Sequence, residues 1–61
     1  MMASANEIAQ RLNISVEQVN MSPTIQNTYN DIESNPNMSQ QEKEDAFDEM
    51  ADVLSDMLQK K

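Results

Sequence analysis

The chain of 61 residues contains no glycine. That absence removes the residue best suited to tight β-hairpin turns and to backbone loops that cradle phosphate. What remains to punctuate the chain is Pro23, Pro36 and a recurring triplet: Asn13-Ile14-Ser15, Asn20-Met21-Ser22 and Asn37-Met38-Ser39. Serine is a strong helix N-cap, because its hydroxyl accepts one of the N–H groups that the first turn leaves unpaired. Asparagine tolerates the left-handed conformation that ends a preceding helix. The triplets therefore read as junctions between helices. They also spell N-glycosylation sequons, a reading with no support in the absence of a secretory signal.

The junctions delimit four capped segments. Ser4-Ala5-Asn6-Glu7 has the form of a capping box, after which Ile8, Ala9 and Leu12 share a face. Ser15-Val16-Glu17-Gln18 is a second box, with Ile14 placed to staple onto Val19. Ser22 caps a third segment whose first position is Pro23, where a missing N–H costs nothing, and Ile25, Tyr29 and Ile32 align along it. Asn35-Pro36-Asn37 then breaks the chain. Ser39-Gln40-Gln41-Glu42 opens the last and longest segment, whose early acids and terminal Lys60 and Lys61 both suit the helix dipole.

The expected fold is all-α, a compact bundle of three to four helices in one domain spanning residues 1–61, with the C-terminal helix longest. Residues 1–34 form its first half, 35–38 the break, and 39–61 a long amphipathic acidic helix. The expected core is Ile8, Leu12, Ile14, Val19, Ile25, Tyr29, Ile32, Phe47, Met50, Leu54, Met57 and Leu58. So short a chain buries a marginal core, and with no cysteine it has no disulfide to reinforce it.

Four basic residues face eleven acidic ones, for a net charge of −7. Such a surface repels nucleic acid and anionic membranes and attracts basic partners. The N-terminal residues lack the basic start and apolar run of a signal peptide, and no stretch approaches transmembrane length, so a cytoplasmic protein without membrane contact is expected. There is no histidine to act as a base and no cysteine nucleophile, which argues against an enzyme. No cofactor is expected. A calcium site would want the acids wrapped in a glycine-bearing loop, so no metal site is expected either.

Residues Ser4 to Ser22, and in particular Glu7-Ile8-Ala9-Gln10-Arg11-Leu12-Asn13-Ile14-Ser15 followed by Val19, resemble the helix-turn-helix of LuxR-type regulators and bacterial sigma factors. The resemblance implies that Ala9 lets two helices pack closely, that Asn13 occupies the turn, that Ile14 and Val19 are core, and that the second helix enters the major groove. That helix, however, offers Glu17, Gln18 and Asn20 with no Lys or Arg for phosphates. Direct nucleic-acid binding is therefore not expected.

The last helix carries two candidate surfaces. Asp45, Asp48, Glu49, Asp52 and Asp56 lie along one side, as a solvated face or a face for a basic partner. Opposite, an apolar arc of about 160° exceeds the ~100° a helix needs to face a core, leaving Ala46, Met50, Val53 and Met57 for self-association. Methionine-rich surfaces adapt readily to partners. These features describe a small acidic regulatory or inhibitory protein that binds a protein partner, for which a basic or nucleic-acid-binding protein fits the charge, and that forms a homodimer. By analogy of character alone, such modulators are common in phages and plasmids. The alternatives are a helix-turn-helix DNA-binding transcriptional regulator and a homo-oligomeric structural protein.

Overall fold

The computed structural model describes residues 3–59. They form four helices and no strand: α1 (Ala5–Leu12), α2 (Val16–Met21), α3 (Pro23–Glu33) and α4 (Gln40–Gln59). The architecture is the expected all-α bundle with the C-terminal helix longest. Lys60 and Lys61, which the sequence places at the end of the last helix, lie outside the described residues.

Every helix starts on a serine. The Ser4 hydroxyl accepts the Glu7 N–H at 3.2 Å, but among the bonds of the described residues Glu7 returns none to Ser4, so only half of that box forms. At Ser15 the box is complete: the hydroxyl accepts the Gln18 N–H and the Gln18 amide oxygen accepts the Ser15 N–H. Ser22 caps α3 over Pro23. Ser39 and Glu42 make a reciprocal pair at 2.7 and 3.1 Å ahead of α4.

The asparagines behave differently from one another. Asn13 takes the left-handed conformation (φ 59°, ψ 44°), and its N–H and that of Ile14 both donate to the Ala9 carbonyl, closing α1. Asn20 stays helical inside α2 and Asn37 sits in the break, and Asn13 is the only described residue with positive φ. α2 needs no left-handed cap because Ser22 and the Gln26 side chain both donate to its Val19 carbonyl. In the break, the Asn35 side chain accepts the Asn37 N–H at 2.9 Å, an Asx turn.

Ile8, Ala9, Leu12, Val19, Tyr29 and Phe47 form the buried core, with Ile14, Ile25, Ile32, Met50, Ala51 and Leu54 packed around it. Two expected core residues are not there: Met57 is 63% exposed and Leu58 50%. The reason is length. At 1.5 Å per residue, the 20 residues of α4 run about 30 Å, whereas the 11 of α3 run about 16 Å. α4 outruns the helices beneath it, and from Ser55 to Gln59 every residue is exposed. The helical period of apolar residues continues beyond the last neighbour able to cover it.

Candidate functional site

Three connections hold α4 to α1 and α3 on one flank. Arg11 of α1 donates to Asp48 at 3.0 Å and to the Glu44 carbonyl at 3.2 Å, and its guanidinium lies 5.5 Å from the centroid of the Phe47 ring. Phe47 in turn stacks on Tyr29, centroids 4.3 Å apart and planes 12° from parallel. The Lys43 ammonium donates to the Glu33 carbonyl at 2.8 Å, covering the negative end of α3. These groups surround a polar cavity of about 430 Å³. Burial, then Glu33 and Glu7, push the Tyr29 phenol above its ordinary pKa, opposed by Arg11.

Arg11 and Lys43 are the basic side chains of the described residues, and both are committed to contacts within the fold. The acidic stripe fares differently. Asp45, Asp48, Glu49, Asp52 and Asp56 are all exposed, as their placement on one side required. Asp48 is taken up by Arg11, and Asp45 accepts the Gln41 side chain at 3.0 Å. The side chains of Glu49, Asp52 and Asp56 make no hydrogen bond or ion pair with the described residues. Nowhere among those residues do three or more potential ligands converge on a metal position. No buried side-chain polar atom among them lacks a partner, so no orphaned group points to a ligand inside the fold.

The opposite flank of α4 is apolar and open. A groove of about 510 Å³ lies between the α2–α3 corner and the second half of α4, lined by apolar atoms almost throughout. Half-buried Ile25, Met50 and Leu54 form its base, and exposed Met21, Met57 and Leu58 its rim. A second groove of about 310 Å³ continues it towards Ile32, Ala46 and Val53, sharing Thr28, Met50 and Leu54 and bordered by Glu49. Of the residues singled out for self-association, Val53 (54%) and Met57 are exposed, whereas Ala46 and Met50 are half-buried. The sequence reading missed Met21, which is 78% exposed at the end of α2. Its place follows from the turn at Ser22 and Pro23, which swings α3 away and leaves the end of α2 beside the groove.

The segment carrying the helix-turn-helix resemblance folds as α1, a turn at Asn13–Ser15, and a six-residue α2. Of the three residues placed to read bases, Glu17 and Asn20 are exposed, and Gln18 is held by its capping bond to Ser15. Compared with protein-family models, curated proteins and solved structures, the chain matches none. No described helix is long and apolar enough to cross a membrane.

Proposed function

We propose that this chain is a small acidic regulatory or inhibitory protein that acts, without catalysis, by binding a protein partner along the apolar flank of α4. The carrying observation is the groove of about 510 Å³ with Met21, Met57 and Leu58 exposed at its rim. In a chain this short, large side chains left in water represent burial not yet used, and a contiguous strip of them marks an interaction surface. The commitment of Arg11 and Lys43 to internal contacts supports a protein partner over the helix-turn-helix DNA-binding alternative, since phosphate contacts carry most of the affinity for DNA. A cytoplasmic setting suits the reading.

A second copy of the chain is the second reading. Ala46, Met50, Val53 and Met57 recur at the four-three-four spacing of a helix–helix seam, and one self-complementary patch would satisfy both copies. It would also bring together two sets of Glu49 and Asp56.

The experiment is affinity capture from the native host with the tagged full chain, run beside Val53→Gln and Met57→Gln, with mass spectrometry of the retained proteins. A protein retained by the parent chain and lost from both variants supports the reading. A partner retained by all three would place the binding surface elsewhere.

A further inference from the structure

The chemistry of the groove narrows what it can hold. Resting on the partner-binding reading, we propose that the groove receives an amphipathic α-helix of the partner, with its apolar face inward and lysine or arginine along its flanks.

The shape suits a helix. The two grooves share Thr28, Met50 and Leu54 and so run on along α4. From Ala46 to Leu58 this strip measures about 18 Å, roughly three helical turns. That is the footprint of a helix laid in a groove through anchors at successive turns. Met21, Met50 and Met57 line it, and their unbranched side chains can refit around an incoming face.

Charge separates the possible occupants. Glu49 borders the strip directly, Asp56 lies three residues beyond Val53 on the same helix, and Glu17 precedes the groove residue Gln18. The described cations, Arg11 and Lys43, line a different cavity and are spent there. No Lys or Arg lines the strip to offset the charge of a fatty-acid carboxylate, a phosphate head group or an acidic helix. A second copy would set Glu49 and Asp56 against their own equivalents. A helix with basic flanks meets those carboxylates favourably, and the whole acidic surface would steer its approach.

The test uses three designed, fluorescently labelled peptides of about 14 residues, sharing one leucine face and differing only in Lys, Gln or Glu flanks. Each is titrated with the full chain by anisotropy. The Lys-flanked peptide should bind about tenfold tighter than the Gln-flanked one, the combined effect of several exposed ion pairs. The Glu-flanked peptide should bind weakest, and added salt should erase the difference. Met57→Gln should weaken binding of the Lys peptide with its circular dichroism unchanged. Glu49→Gln with Asp56→Asn should shrink the preference for Lys over Gln. Equal binding of all three peptides, or Lys-peptide binding indifferent to Met57→Gln, overturns the proposal. So does a stable dimer, seen by light scattering, that no peptide displaces. If host capture depends on Met57 while the peptides show no charge preference, the partner surface stands and the basic helix is refuted. If the Lys peptide behaves as expected while host capture ignores Met57, the groove binds basic helices but the captured partner uses another face.

Discussion

Arg11 and Asp48 are separated by 36 intervening residues and joined by a 3.0 Å ion pair that ties α1 to α4. The pair engages the Arg11 guanidinium and sets one cation against the acidic stripe at Asp48. Its side chains are 34% and 67% exposed, so solvent screens it and its own contribution should be small. A double-mutant cycle with Arg11→Met and Asp48→Asn, read by urea denaturation, should give a coupling below about 1 kcal/mol. The single Arg11→Met change should cost more than Asp48→Asn, because it also removes the hydrogen bond to Glu44 and the contact with Phe47.

Tyr29 should report on the same cluster through its titration. Burial raises its pKa, so the folded state favours the neutral phenol. A pKa raised above the unfolded value of about 10 means that this contribution is complete below that pH. It is lost as pH rises through the folded value. Spectrophotometric titration should therefore give a midpoint above that of the urea-unfolded chain, and stability should fall in strongly alkaline solution. Identical midpoints would show that Tyr29 is solvated.

The junctions provide a local test. Ser39→Ala removes the hydroxyl that accepts the Glu42 N–H and should lower stability by about 1 kcal/mol. Asn13→Ala should cost about 1–2 kcal/mol, because its φ of 59° lies in the left-handed region, which asparagine tolerates better than alanine. Asn13→Gly should cost nothing or stabilise. Both outcomes are read by chemical denaturation, and the contrast between Ala and Gly at residue 13 separates backbone strain from loss of the side chain.

What the sequence disclosed and what it withheld divide by range. Caps at Ser15, Ser22 and Ser39 were legible because each bond spans three residues, and Phe47, Tyr29 and Leu12 were legible because helical period places them on one face. Ala9 was seen on that face but its burial (4% exposed) depends on how closely the other helices approach α1. Met57 and Leu58 carry the same periodic signal as Leu54, and only the unequal lengths of α3 and α4 tell them apart. The groove lies at that mismatch, between elements whose relative ends no local pattern records. Net charge indicated an acidic surface, but not that Arg11 and Lys43 would both be engaged by groups of the fold.

Salt should act in opposite directions on folding and on binding. Asp48, Asp52 and Asp56 repeat at four-residue spacing and, within a chain of net charge −7, repel at a few tenths of a kcal/mol per pair. Screening relieves more repulsion than the attraction it removes at Arg11–Asp48. Thermal stability should rise between low salt and about 0.5 M NaCl, where the Debye length falls to a few Å. A falling midpoint would show that ion pairs outweigh self-repulsion.

Substitutions along α4 should separate the exposed part of its arc from the part in use. Leu54 is half-buried against the core, so Leu54→Ala should cost about 2 kcal/mol or more. Phe47→Ala should cost about 3–5 kcal/mol, enough to unfold so small a domain, which makes it useless as a binding probe. Val53, Met57 and Leu58 each keep half or more of their surface in water, so replacing them with glutamine, a neutral helix former, should move stability by no more than about 0.5 kcal/mol. Against this flat stability profile, light scattering at tens of micromolar and the capture experiment read the surface itself. A dimer in the parent chain that Val53→Gln or Met57→Gln dissolves would identify a second copy on the strip. A monomer whose partner capture both substitutions abolish would identify a foreign protein there. Large destabilisation by Met57→Gln would mean instead that the end of α4 is packed inside the fold, and that the groove does not exist in solution.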